Sequence, residues 1–95
     1  MQNRPREPKF NIGRVMATPG SLAFMTDNDI DSIGLLSRHI CGDWGDLCDE
    51  DAEQNDFAVN GGGRLMSVYK FEKGDVWIIT EHDRSVTTFL LPSEY

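Results

Sequence analysis

The chain has 95 residues, 39% hydrophobic and 26% charged, which predicts one folded domain with a modest core rather than a disordered chain. Sixteen acidic against nine basic side chains give a net charge of -7, which disfavours binding to the phosphate backbone of nucleic acids. No apolar run approaches the about 20 residues of a membrane span, and the N-terminus lacks the hydrophobic segment of a signal peptide. We therefore expect a cytoplasmic protein with no membrane partner.

The N-terminal part of the chain predicts an arm, a strand and a helix. Residues 1–9 contain two prolines and alternating charge and predict a flexible arm, and residues 10–95 predict a single domain. The stretch KFNIGRVMA alternates loosely in hydrophobicity and predicts the first strand. Thr18 is a suitable N-cap for a short helix with Pro19 at its first position.

The middle of the chain predicts two more helices. The stretch DNDIDSIGLLSRHI has apolar residues at helical spacing, Asn28 or Asp29 as its N-cap, and Gly42 as its end. A third helix is predicted with Asp49 as N-cap and further acidic residues in its first turn, where the helix dipole favours them. Glycines 61–63 should end that helix.

The last third of the chain predicts strands. The stretches RLMSVYKF, DVWIITE and SVTTFLL are rich in β-branched and aromatic residues, and short polar breaks separate them. They predict an antiparallel three-stranded meander. The fold class is therefore α+β: a single domain with two to three helices packed on one face of a three- to four-stranded, mainly antiparallel sheet, in the order β-α-α-α-β-β-β, with the first strand at an edge.

The stretch RHICGDWGDLCDED, residues 38–51, concentrates chemically active side chains. The soft metal ligands of the chain are His39, Cys41, Cys48 and His82, but their spacing does not match the paired ligands of a structural zinc site. The acidic run also lacks the glycine and glutamate of a calcium loop. We expect no metal and no cofactor, and reduced thiols in a cytoplasmic protein, although the spacing also permits a small-loop disulfide.

The same stretch has structural interpretations. Asp43 and Asp46 flank Gly45 in a predicted turn, where aspartate bonds the following backbone and glycine accepts a positive φ. Trp44 is expected to be a hydrophobic plug that docks the loop onto the sheet, with an exposed binding anchor as the alternative. His39 falls on the last turn of its helix, where the imidazole can bond a free carbonyl or interact with the dipole.

A second concentration of polar groups lies at the predicted turn TEHDRSVTT. Asp83 and Arg84 are typical of a turn former and a solvated or loop-bridging guanidinium. A functional interpretation is that Arg84 binds an anion through its two-pronged guanidinium, while the hydroxyls of Thr87 and Thr88 line a shallow pocket.

Two motifs, RHICGDWGDL and GGRLMSVYKF followed by VWIITEHDRSVTTFLLPSEY, resemble a family of small bacterial proteins that are common on plasmids and other mobile DNA. The resemblance covers about residues 10–95. Some members are labelled plasmid-related protein or type I restriction methylase subunit. The second label does not fit, because the chain has neither a dinucleotide-type cofactor turn nor the catalytic tetrapeptide of an amino-methyltransferase. The resemblance implies a fold and a mobile-element context and transfers no catalytic residue.

The sequence predicts a non-enzymatic interaction module that binds another protein, in a regulatory or counter-defence role of a plasmid or phage. The predicted binding residues are Asp43, Trp44, Asp46, Asp83 and Arg84. A homodimer that covers an apolar sheet edge or face is left open.

The alternative from another class is a metal-independent, toxin-like ribonuclease. His39 or His82 would be the acid or base, Arg84 would hold the phosphate, and Thr87 or Thr88 would donate a hydrogen bond. The negative charge of the chain opposes this reading.

Overall fold

A computed structural model describes residues 7–95, and residues 1–6 of the predicted arm lie outside the described part. The described elements are β1 (Arg14–Ala17), α1 (Pro19–Asp27), α2 (Ser32–Ile40), α3 (Asp49–Gly61), β2 (Leu65–Phe71), β3 (Gly74–Thr80) and β4 (Val86–Leu90), followed by a short 3-10 helix at Pro92–Glu94.

The strands form one mixed sheet in the order β1-β4-β3-β2, so β1 and β2 are its edges. Strands β2, β3 and β4 make the antiparallel meander that the sequence predicts, and β1 adds to β4 in parallel. The α+β class, the order of elements and the edge position of the first strand are confirmed.

The core lies between one face of the sheet and the first two helices. Tyr69, Val76, Ile78 and Phe89 project from that face and cluster with Met25 of α1 and Leu35 of α2. Because side chains alternate along a strand, Ser67, Thr80 and Thr87 lie on the same face. We call this the helix-side face.

The other face of the sheet carries Val68, Trp77, Ile79 and Leu90, and the C-terminal residue packs against it. The rings of Trp77 and Tyr95 meet edge-on with centroids 5.4 Å apart. Val68, Ile79 and Leu90 are buried on this face.

The predicted caps are right for α1 and wrong for α2. Thr18 caps α1 by accepting a hydrogen bond from the Ser21 N–H, with Pro19 in the first position. The N-cap of α2 is Asp31, whose carboxylate accepts from the Gly34 N–H. Asn28 instead ends α1, so the helix start shifts by two or more residues along the chain.

Helix α3 begins one residue earlier than predicted. Cys48 occupies the N-cap position without a side-chain hydrogen bond, so Asp49 is the first helical residue and not the cap. Its carboxylate and those of the next two residues still lie in the first turn, where the helix dipole favours negative charge. The helix ends at Gly61, and Gly62 continues at a φ of 88°, as the predicted glycine terminator requires.

The first strand is shorter than predicted. Residues 9–13 are not in the sheet, and Lys9 donates its backbone N–H to the Ile40 carbonyl at the end of α2 at 2.7 Å. Gly13 has a φ of 63°, and a Cβ there would lie 2.2 Å from the Ser85 carbonyl oxygen. This close approach interrupts the extended chain, so β1 starts only at Arg14.

Candidate functional site

The Gly-Asp-Trp-Gly-Asp loop covers the outer edge of β2. Val68 donates its backbone N–H to the Trp44 carbonyl at 3.1 Å, and Asp46 donates its N–H to the Val68 carbonyl at 2.6 Å. Gly45 forms a parallel bridge with Val68, and a Cβ on Gly45 would lie 2.2 Å from the Val68 oxygen. The loop is therefore a backbone cover for an edge strand, and only glycine fits at its centre.

Two side chains extend this cover in both directions along β2. The Asp46 carboxylate accepts the Lys70 N–H at 2.9 Å. The buried amide of Asn55 on α3 donates to the Met66 carbonyl at 2.7 Å and accepts from the Met66 N–H at 3.3 Å. These bonds satisfy backbone groups of an edge strand that would otherwise be open to another chain.

Trp44 is the plug that the sequence predicts. It is only 5% exposed, and its indole N–H donates to the Asp56 carboxylate on α3 at 2.9 Å. Its ring stacks on Phe10 with centroids 6.1 Å apart and meets His39 edge-on at 5.7 Å. Trp44 therefore joins the loop, α3 and the end of α2 into one packed unit.

Asp43 fastens the start of the loop to α2 and β2. Its carboxylate accepts from the Arg38 guanidinium at 2.7 and 3.3 Å and from the Gly45 N–H at 3.2 Å. Its carbonyl accepts the Tyr69 hydroxyl at 2.6 Å, and burial raises the pKa of Tyr69 to about 12. The hydrogen bond to Asp43 raises the pKa of Arg38.

His39 is the centre of a polar network whose side chains are all buried. Its Nδ1 lies 2.6 Å from the Ser67 Oγ, and its Nε2 lies 2.9 Å from the Thr80 Oγ1. Thr80 is 2.7 Å from the Thr87 Oγ1, which donates to the Ile12 carbonyl at 2.8 Å. The two histidine nitrogens, three hydroxyls and one carbonyl thus form a continuous chain of hydrogen bonds.

The Ile12 carbonyl at the end of this network can only accept, so it determines the donor and the acceptor in every other hydrogen bond. Because Thr87 gives its only hydroxyl proton to Ile12, it must accept from Thr80, and Thr80 must then accept from His39. The Nε2 atom of the imidazole therefore carries the proton. In the neutral ring Nδ1 is then an acceptor, and Ser67 donates to it.

Burial also holds His39 in the neutral state. It lowers the pKa of the imidazole to about 4. The ring has no exposed surface, and Phe10 and Trp44 close the network from the outside with edge-on contacts at 5.3 and 5.7 Å. This arrangement joins α2 to the sheet and holds the imidazole away from solvent.

The β3–β4 turn is also held from within. The Asp83 carboxylate accepts both the N–H and the hydroxyl of Ser85, which lowers the pKa of Asp83. Arg84, at a φ of 61°, donates to the carbonyls of Ala58 at 2.7 Å and Gly63 at 2.6 Å. Its guanidinium therefore ties the end of α3 to the turn, which is the loop-bridging role that the sequence offers as one reading.

A groove of about 890 Å³ lies between α3 and β2. Its apolar lining includes Leu47, Phe57 and Met66, and its acidic lining includes Glu50, Asp51 and Glu53. All three acidic residues are exposed, and Phe57 is 83% exposed. Helix α3 is held in place by hydrogen bonds of Asn55, Asp56 and the Ala58 carbonyl. Its largest apolar side chain, Phe57, is not used in this attachment and faces solvent.

Within residues 7–95, no group of three or more histidine, cysteine or acidic side chains is arranged to hold a metal ion. Cys41 and Cys48 are both free thiols. None of the helices of this part of the chain has the length and apolar character to cross a bilayer.

Comparison of the chain with protein-family models, with curated proteins and with solved structures found no match. The motif resemblance described above therefore stays a prediction.

The structure brings together some of the predicted site residues and separates others. Asp43, Trp44 and Asp46 lie in one loop, and the side chain of each makes a hydrogen bond within the protein. Thr87 reaches His39 through Thr80. His82 is exposed on the β3–β4 turn, and Thr88 alternates with Thr87 and so lies on the other sheet face.

Sequence reasoning missed Ser67 and Thr80, which are the direct partners of His39. A signal for both exists in the strand pattern. Ser67 lies between Leu65 and Tyr69 in the alternation of β2, and Thr80 continues the apolar alternation of β3, so each hydroxyl is at a core position. A hydroxyl at such a position needs a buried partner.

Proposed function

We propose that this protein is a non-enzymatic interaction module that binds a basic, partly apolar segment of another protein in the groove between α3 and β2. The exposed Phe57 beside three exposed acidic side chains is the observation that supports this function. An aromatic anchor surrounded by polar groups is typical of binding surfaces, and the acidic wall selects a positively charged partner.

The predicted binding residues support this surface from behind. Trp44 and Asp46 attach the loop that leads into α3, and Arg84 fixes the other end of the helix. In this proposal they hold the groove in shape, and Phe57 and the acidic wall contact the partner. A regulatory or counter-defence role on a plasmid or phage belongs to the proposal through the motif resemblance alone.

The buried network explains why we prefer binding to ribonuclease chemistry. His39 has both nitrogens occupied and no exposed surface, and Thr87 is equally buried. The Arg84 guanidinium is directed at backbone carbonyls. An acid–base pair must reach the proton that it transfers, and these groups do not face a common open site.

Binding can be tested with a fluorescein-labelled amphipathic peptide of alternating basic and aromatic residues, followed by fluorescence anisotropy. We expect Phe57→Ala, and separately the triple variant Glu50→Gln, Asp51→Asn, Glu53→Gln, to weaken binding about tenfold or more, as loss of a binding hot spot does. Added salt should weaken binding to the parent protein and have a smaller effect on the triple variant.

Ile33→Ala is the matched control, because Ile33 is 72% exposed on α2 and does not line the groove. Equal weakening by the Ile33 and Phe57 variants, or no binding of the peptide to the parent protein, would contradict the proposal. The same preparation should be incubated with a fluorogenic RNA. Cleavage that Arg84→Ala abolishes in a folded protein would favour the ribonuclease instead.

A further inference from the structure

The two edge strands of the sheet differ in whether their outward backbone groups are hydrogen-bonded. The β2 edge is covered by the Trp44–Asp46 loop and by Asn55. On β1, Arg14 donates its N–H to Ser85 and Thr18 donates to Phe89, so these residues face β4. The alternate residues, Val15 and Ala17, therefore direct their N–H and C=O groups outward, where none of the described residues bonds them.

The side chains around the open β1 edge are apolar and exposed. Val15 is 43% exposed on the helix-side face, and Met16 is 49% exposed on the other face. Leu22 of the following helix is 57% exposed. An unpaired edge with apolar side chains on both faces is a template for another strand, and none of the described residues covers β1 as the Trp44–Asp46 loop and Asn55 cover β2.

We propose that β1 pairs antiparallel with β1 of a second copy, so that two four-stranded sheets join into one across a two-fold axis. The outward groups determine the register: Val15 of each copy lies opposite Ala17 of the other, and the two Met16 residues meet at the axis. This register lets both outward residues of each copy exchange N–H and C=O groups with the partner strand.

Charge complementarity at the ends of the paired strands selects a second copy as the occupant. In this register Arg14 lies opposite Thr18 of the second copy. The Thr18 hydroxyl donates to the Glu94 carboxylate at 2.6 Å, which places a negative charge at that end of the edge. Arg14 is exposed and has no ion pair among the described residues. The two-fold axis therefore places each exposed arginine near the carboxylate of the other copy.

The register can be tested by disulfide cross-linking in a background with Cys41→Ser and Cys48→Ser. Opposite residues of a non-hydrogen-bonded antiparallel pair have Cα atoms about 4.5 Å apart, within the range of a disulfide. Met16→Cys should therefore cross-link rapidly to a covalent dimer under mild oxidation. Val15→Cys is the matched control. In the proposed register Val15 lies opposite Ala17 of the second copy, so the two cysteines at position 15 are only diagonal neighbours and should not cross-link.

The assembly is measured by light scattering on a sizing column, in a buffer of physiological salt and up to millimolar protein. We expect a mass of about twice the 10.7 kDa of one chain. Ala17→Pro removes an outward N–H that makes no bond within the chain, so a folded variant should return to the mass of one chain. Arg14→Glu should do the same by charge repulsion, and Ile33→Ser should not.

A parent protein that keeps the mass of one chain at every concentration would overturn the proposal. The β1 edge would then be a candidate site for a strand of a different protein. Faster cross-linking of the Val15 variant than of the Met16 variant would also overturn the proposal, because that result requires another register. If Ala17→Pro fails to fold, the cross-linking pair decides alone, since neither of its substitutions alters the backbone. The proposal is independent of the groove at α3, and Phe57→Ala should leave the dimer unchanged.

Discussion

Acidification should destabilise this protein through His39 before most of its carboxylates are protonated. Burial lowers the pKa of His39 to about 4 from its ordinary value of 6.5, which the unfolded chain restores. The unfolded state then binds the proton more tightly than the folded state. The contribution of neutral His39 to the free energy of unfolding is therefore fully present above about pH 6.5 and is lost as the pH falls from 6.5 to 4.

The size of the effect follows from the difference between the two pKa values. Each pKa unit corresponds to about 1.4 kcal/mol, so the full loss below pH 4 is about 3 kcal/mol. Between pH 7 and pH 5 the expected loss in the free energy of unfolding is about 2 kcal/mol. This is a large part of the stability of a small domain, which is on the order of 5 to 15 kcal/mol.

Urea denaturation followed by circular dichroism at pH 7, 6 and 5 measures this loss. His39→Gln, which keeps a neutral hydrogen-bonding group at the site, should be less stable at pH 7 and should lose most of the pH dependence. His82→Gln is the matched control, because it changes the other histidine of the chain, which is exposed on the β3–β4 turn. It should keep the parent slope.

Two carboxylates have lowered pKa values, and they determine how far the pH can fall before groups other than His39 affect stability. Hydrogen bonds from Ser85 lower the pKa of Asp83, and a hydrogen bond from Thr18 lowers the pKa of Glu94. Stability that depends on these carboxylates is lost only as the pH falls below their ordinary values, so it does not contribute between pH 7 and 5. An NMR titration of the His39 ring in the folded protein is the direct check. A midpoint near 6.5, or equal pH slopes for the parent and the His39 variant, would refute the reasoning.

Substitutions at three further positions test the contacts that hold the site, each by urea denaturation at neutral pH. Trp44→Phe removes the indole N–H that donates to Asp56 and leaves a cavity beside Phe10 and His39, and should cost at least about 2 kcal/mol; no loss would mean that neither contact contributes to stability. Asn55→Ala removes both bonds to Met66, and should cost about 2 to 3 kcal/mol and speed hydrogen exchange of the Met66 amide. Thr80→Val breaks the buried chain of hydrogen bonds and should cost about 2 kcal/mol, whereas Thr80→Ser keeps the hydroxyl and should cost less; equal losses would mean that the hydroxyl adds nothing to stability.

The helices and strands themselves were predictable because their signals are local. Thr18 and Pro19 mark the start of α1, and Gly62 ends α3, through backbone geometry that involves only a few neighbouring residues. The alternation of β-branched and aromatic residues fixes the three strands of the meander in the same way. Where two adjacent residues could both cap a helix, as before α2, the true cap was Asp31, because the chain first leaves α1 through Asn28 and a positive φ at Asp29.

The candidate site was only partly predictable. The motif around Trp44 was recognised from its composition, and its burial was predicted because a large aromatic ring between glycines is best placed against a sheet. The use of the loop as a cover for the β2 edge was not predictable. It depends on Val68, which lies more than twenty positions further along the chain.

The sequence by itself therefore determined the elements, their order and the α+β class, since each rests on contacts between near neighbours. Only the tertiary structure decided which strands became edges and which polar groups were buried. The parallel pairing of Arg14 with Val86, and the bonds of His39 to Ser67 and Thr80, join residues that are far apart in the chain. No local sequence pattern identifies such a partner, because the free energy that selects it comes from packing distant segments together and from hydrogen-bonding the polar groups that this packing buries.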